Sequence, residues 1–178
     1  MKNIKKITFS SLFIILIIIG SYISIPLPFS PVPLTLQVFF VLLSGILLGS
    51  YYGFLSVLGY IILGLLGFPV FAGGQSGFSV FLGPNGGFLL GFLIAPLLMG
   101  IVRKNQTFII PSILLGIFII HLLGVLYLSF ILSIPISKAF YIGSLPFVAV
   151  DLIKGSLVYI FSLLILKNKE LKALLFSD

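Results

Sequence analysis

Cysteine is absent and histidine occurs once. No disulfide, thiolate nucleophile or cysteine metal site can therefore be built, and one histidine leaves no His-rich metal cluster. Charge is scarce too. Only 7% of the 178 residues are charged, against about a quarter in soluble domains, too few to clothe a water-soluble surface. Neither Gly-x-x-x-x-Gly-Lys-Ser/Thr nor a strand-borne Gly-x-Gly-x-x-Gly occurs, so the chain cannot hydrolyse ATP with a P-loop or bind a dinucleotide in that way. No Ala-x-Ala site follows the first apolar run, which is also too long for a signal peptide. Lys2, Lys5 and Lys6 before it therefore read as the flank of an uncleaved first span.

What the chain has is apolar length: 60% of its residues are hydrophobic. About 20 helical residues cross a hydrocarbon core of ~30 Å, and only helices or closed barrels satisfy their backbone there. The runs lack the alternation of a barrel. The expectation is an all-α integral membrane protein, one domain over 1–178, with six transmembrane helices at 7–25, 34–50, 53–67, 86–102, 108–132 and 144–166. The connectors are a stiff proline-rich break (26–33), a tight hairpin at Ser50–Gly53, a long Gly-rich loop (68–85), a short basic loop after residue 102, a loop at 133–143 and a charged tail.

A net charge of +7 would suggest nucleic acid in a soluble protein. Here the placement of the cations matters more than their sum, and no nucleic-acid partner is implied. Lys and Arg collect on the cytoplasmic side of short connections. With six spans, Lys2, Lys5, Lys6, Arg103, Lys104, Lys167, Lys169 and Lys172 share one side, and only Lys138 falls on the other. Both termini are then cytoplasmic, and the Pro-rich break, the Gly-rich loop and the Lys138 loop face outward. Two stripes of small residues at four-residue spacing, Gly45/Gly49/Gly53 and Gly83/Gly87/Gly91/Ala95, suit close helix packing.

Asp151 and Lys154 lie inside the sixth run. Each costs about 2.5–3.5 kcal/mol at a helix centre, and intramembrane ionisable residues are functional by default. Spacing of three puts both on one face, as an anchor for a small ligand carrying N–H donors and carbonyl or carboxylate oxygens; an internal ion pair that fixes helix rotation is the plainer alternative. The Gly-rich loop is too long and apolar for an idle linker. Its Gln75, Ser76, Ser79 and Asn85 lie among Phe71, Phe78 and Phe81, a mix that suits a mostly apolar pocket with a few polar groups. An enzymatic alternative rests on Gly74-Gln75-Ser76-Gly77, which matches the Gly-x-Ser-Gly of rhomboid-type intramembrane serine proteases. Ser76 would then be the nucleophile and His121 its base. But His121 is on the fifth span and reads better as a polar residue packed within the bundle.

Four stretches in order carry a family resemblance. Pro31-Val-Pro-Leu-Thr-Leu-Gln37, Gly64-Leu-Leu-Gly-Phe-Pro-Val-Phe-Ala-Gly-Gly74, Phe81-Leu-Gly-Pro-Asn-Gly-Gly-Phe88 and Asp151-Leu-Ile-Lys154-Gly155 resemble the BioY family, the biotin-binding S components of energy-coupling factor (ECF) vitamin transporters. The resemblance implies a six-helix subunit of the prokaryotic cell (inner) membrane that captures biotin from outside. Its implied partners are a transmembrane scaffold subunit and two ATP-binding-cassette ATPases that supply the energy. It implies no catalytic residue, no metal and no cofactor, with biotin as transported ligand. It assigns ligand contact to Asp151 and Lys154, and Gln75 matches the loop amide; Ser76 and Asn85 complete the candidate site. A self-sufficient biotin carrier of the same fold is the alternative in the same class. One departure stands out: four residues after Ser10 and Ser11 come Ile14 and Ile15, not the Ala-x-x-x-Ala repeat that many S components use to dock on the scaffold.

Overall fold

The first apolar run becomes helix α1 (Lys2–Tyr22), which ends three residues earlier than expected. There the chain turns extended. Ser24–Ile25 (β1) pairs antiparallel with Leu34–Thr35 (β2), with Ser24 opposite Thr35 and Ile25 opposite Leu34. The proline-rich stretch is thus the tip of a two-stranded ribbon rather than a plain break, since prolines cannot continue a helix. The computed structural model describes residues 2–102 and 106–170. Arg103, Lys104 and Lys172 of the orientation argument lie outside the described residues.

Helix α2 (Gln37–Leu65) contains the two runs expected at 34–50 and 53–67, divided at Gly49, whose φ of 78° and ψ of −169° are non-helical. Only glycine adopts this region readily. The break reverses the chain. In a straight helix Gln37 and Tyr60 would stand about 35 Å apart at ~1.5 Å per residue, yet Gln37 Nε2 donates to Tyr60 Oη at 2.5 Å. The two arms are antiparallel, and the turn is a single residue rather than the four-residue Ser50–Gly53 hairpin. The reversal also reinterprets the first glycine stripe: Gly45 and Gly53 face each other across the arms and both abut Pro96.

After α2 the Gly-rich loop is folded, not extended. It holds a 3-10 turn (Ala72–Gly74) and a short helix, α3 (Phe78–Phe81). Phe71 seats it: the ring lies so close to Gly64 that a Cβ there would collide with it. Tyr22 Oη and Ser21 Oγ, at the end of α1, donate to the carbonyls of Pro69 (2.5 Å) and Val70 (2.7 Å). Helix α4 (Gly86–Val102) then packs on α5 (Ile109–Ile131) through Gly87 against Tyr127 and Gly91 against the Ile120 backbone. Gly83 precedes α4, so that stripe is one residue shorter than its sequence spacing. The loop 133–143 contains a helix the hydropathy did not indicate, α6 (Ile136–Gly143), leading to α7 (Leu145–Lys167).

Four helical stretches, Ile4–Tyr22, Gln37–Leu65, Ile109–Ile131 and Leu145–Lys167, are long and apolar enough to cross a membrane, and α4 is a shorter apolar helix. One extended apolar core draws on α1, α2, α4, α5 and α7. The bundle has two unlike ends. At the hinge end, the Lys6 ammonium stands 5.7 Å from the centre of the Tyr52 ring, Gly100 near the end of α4 abuts Ser50, and α7 finishes on Lys167. The ribbon, the Gly-rich loop and α6 with Lys138 cover the other.

Candidate functional site

At the ribbon end a cavity that opens to the surface lies among β2, both arms of α2, the Gly-rich loop, α4, α5 and α7. Its wall is mostly apolar, with Phe71, Phe88, Phe92 and Phe147 prominent, and it carries a small set of polar groups.

Asp151 sits two turns into α7, about 9 Å from the first helical residue at ~1.5 Å per residue. It is 3% exposed and Lys154 7%, so both charges are withdrawn from solvent. Spacing of three brings them together as the sequence implied: Lys154 Nζ donates to Asp151 Oδ1 at 2.6 Å. Lys154 also donates to the Thr35 carbonyl at 2.7 Å, which binds α7 to the ribbon. An ammonium has three N–H donors, so one remains for the cavity.

The other Asp151 oxygen meets His121, which the sequence reading placed as bundle packing or, in the proteolytic alternative, as the base of Ser76. His121 Nε2 of α5 lies 3.1 Å from Asp151 Oδ2, and its Nδ1 lies 2.9 Å from Ser144 Oγ. An ionised carboxylate only accepts, so Nε2 carries the proton. In the neutral ring Nδ1 accepts from the Ser144 hydroxyl. With both nitrogens engaged there, His121 is not the base of Ser76, and the proteolytic pairing does not form.

A second polar chain continues across the ribbon. Thr35 Oγ1 donates to Gln37 Oε1 at 3.2 Å, and the amide nitrogen of Gln37 donates to Tyr60 Oη. A phenol that accepts keeps its own O–H to donate, and Tyr60 lines the cavity. Asn85, just before α4, also lines the cavity. Its Oδ1 is buried and has no hydrogen-bond partner among the described residues. An unsatisfied buried acceptor costs about 1–3 kcal/mol, so this oxygen can accept a hydrogen bond from a donor placed in the cavity.

The candidate residues therefore divide. Asp151, Lys154 and Asn85 line the cavity. Gln75 and Ser76 line a more open, polar depression at its mouth, which shares Val80 and Asn85 with the cavity. Four polar cavity residues were not among the candidate ligand contacts read from the sequence: Thr35, Gln37, Tyr60 and His121. A lone histidine inside an apolar run is an intramembrane ionisable group, and the rule that singled out Asp151 and Lys154 would also have found His121. Thr35 and Gln37 stood inside a quoted motif without a role. No sequence signal distinguishes Tyr60 from other aromatics. Among the described residues no cluster of three or more His, Asp and Glu could hold a metal ion.

The comparisons agree with this architecture. Residues 1–170 match the BioY family. A biotin transporter BioY of Thermotoga maritima is 42% identical over 171 residues, covering 94% of this chain and 98% of that protein. A probable biotin transporter BioY of Pyrococcus horikoshii is 42% identical over 152 residues, covering 85% and 90%. The crystal structure of the S-component for biotin from an ECF-type ABC transporter superposes with a TM-score of 0.84 at 33% identity, covering 90% of this chain and 89% of that one. A profile match over nearly the whole length, with relatives this similar end to end, makes the chain a multi-pass membrane protein and a member of the BioY family.

Proposed function

We propose that this protein is the biotin-capture subunit of an ECF-type uptake system and not an enzyme. The observation that carries the reading is the cavity itself: an apolar chamber whose few polar groups offer a carboxylate, a spare ammonium N–H, a phenolic O–H and an unpartnered amide oxygen. Biotin presents the complementary set. Its ureido ring has two N–H donors and one carbonyl, its thioether ring and valeryl chain are apolar, and its tail ends in a carboxylate. In this reading Asp151 and Asn85 Oδ1 accept from the two ureido N–H groups. Lys154 and Tyr60 donate to the ureido oxygen. The valeryl carboxylate reaches the outer depression, where Gln75 and Ser76 can donate.

The chain crosses the membrane six times, as α1, the two arms of α2, α4, α5 and α7, with both termini cytoplasmic and the cavity outward. Support comes from the antiparallel arms of α2 and from the described cations: Lys5, Lys6, Lys167 and Lys169 lie at the hinge end and Lys138 at the other, with Lys154 buried between. With no P-loop, energy for uptake comes from partners, a transmembrane scaffold and cassette ATPases, in a prokaryotic cell membrane.

Thermal melts of the detergent-purified protein with biotin, riboflavin or thiamine test the ligand. A ligand that binds only the folded state at ~100 times its Kd adds about 2.7 kcal/mol, so biotin alone should raise the melting temperature. Equal shifts for all three, or none for biotin, would remove the assignment. For orientation, a cysteine introduced at position 105 should resist an impermeant maleimide in intact cells; labelling from outside would invert the topology.

A further inference from the structure

Three observations about His121 go beyond lining a pocket. Its ring spans the gap between Asp151 and Ser144, so α5 and α7 meet through two consecutive side-chain hydrogen bonds. Ser144 stands at the N-cap of α7, where serine ordinarily caps its own helix, yet its side chain makes no cap bond there. The hydroxyl is instead turned onto the imidazole. Finally, His121 lines both the ligand cavity and a separate apolar groove formed by α5, α6 and α7. Its ring is thus a wall between the ion pair and that groove.

We propose that His121 and Ser144 are positioning residues for ligand recognition, holding the Asp151 carboxylate in the one orientation that receives the ligand's N–H group. Lys154 holds Oδ1 and His121 holds Oδ2. A carboxylate clamped at both oxygens cannot rotate about its terminal bond, and its remaining lone pairs keep a fixed direction. A carboxylate held by the lysine alone can swing, and the ligand must then order it on binding, which weakens affinity. Ser144 acts one step back, fixing the ring plane and the tautomer that puts the proton on Nε2. The inference rests on the assignment of Asp151 as a ligand anchor, and it adds residues that need not touch ligand.

The test is equilibrium biotin binding by purified variants, each paired with a melting curve. His121→Leu should weaken biotin binding about 10–100-fold while the protein stays folded. His121→Gln, which restores an N–H toward Asp151, should return affinity to within about fivefold of the parent. Ser144→Ala should weaken binding about 3–10-fold, and should add nothing further on the His121→Leu background because its effect passes through the ring. Parent-like affinity in folded His121→Leu, or no recovery in His121→Gln, overturns the proposal. Should His121→Leu fail to fold, parent-like affinity in Ser144→Ala overturns it instead. Asp151→Asn is measured beside them: loss of binding there with normal binding in the His121 and Ser144 variants refutes the positioning role alone, whereas normal binding by Asp151→Asn refutes the anchor and the positioning role together.

Discussion

Buried polar groups at the two ends of this bundle bond differently. Toward the hinge end, Ser44, Ser56, Ser112 and Ser162 donate to carbonyls three or four residues earlier in the chain. Such bonds satisfy a hydroxyl in an apolar setting but carry no information between elements. Ser10, which also reaches the Tyr52 carbonyl at 3.2 Å, is the exception. Toward the ribbon end, the bonds join Lys154 to Thr35, His121 to Asp151, Ser144 to His121 and Gln37 to Tyr60. The hinge end is held by close apposition of small residues, the ribbon end by a polar network that knits β2, α2, α5 and α7 together. A membrane-embedded bundle has no strong hydrophobic drive between helices. It can therefore concentrate its expensive polar groups around the cavity.

The contrast can be broken at several points. The largest effect should come from Asp151→Asn and Lys154→Met, each reducing biotin affinity at least 100-fold. Each single change also strands a buried charge, which typically costs about 3–5 kcal/mol of stability. The double variant should recover much of that stability without recovering binding. Near-normal affinity in a well-folded double variant would reduce the pair to a structural tie.

The next effect should fall on stability alone. Gly49→Ala places a Cβ on a backbone region that costs about 1–3 kcal/mol for non-glycine residues. Its melting temperature should drop while the Kd for biotin, measured well below that temperature, stays within twofold. A Kd that moves with the hinge would show that the two ends are coupled rather than separate.

Asn85→Leu sharpens the comparison from the other side. Removing an unpartnered buried acceptor should leave the ligand-free melting temperature unchanged or raise it. Biotin binding should nevertheless weaken about tenfold, which is ~1.4 kcal/mol, the scale of one hydrogen bond. A destabilised ligand-free protein with intact binding would place Asn85 in the packing and not in recognition.

The smallest effect belongs to the mouth. Gln75→Ala and Ser76→Ala should each weaken biotin less than fivefold and leave biotin amide, which lacks the tail charge, nearly unchanged. Equal losses for acid and amide would move the tail carboxylate elsewhere.

Most helical runs were legible in the sequence because a segment without charges has few other places to go than the membrane. Their limits were less so. The end of α1 depended on a strand pairing between residues nine and eleven apart, and α6 is too short and too mixed to stand out as a span. The Asp151–Lys154 pair was legible because it is local: a spacing of three on a helix needs no tertiary information. Asn85 was found among loop amides, but nothing in the loop distinguished it from Gln75, which lies at the mouth.

By itself the sequence determined that the chain is helical and apolar, where its cations cluster, and which helix carries a buried ion pair. These follow from composition and from periodicities shorter than two helical turns. Only the tertiary structure decided that Gly49 folds α2 back so that Gln37 reaches Tyr60. It also decided that Thr35 lends its carbonyl to Lys154 across 119 residues, and that His121 clamps the free oxygen of Asp151. Those choices belong to packing, because a hydrogen bond between elements requires each to be placed to within tenths of an ångström. No local pattern in the chain specifies that placement; the close contacts of the whole bundle do.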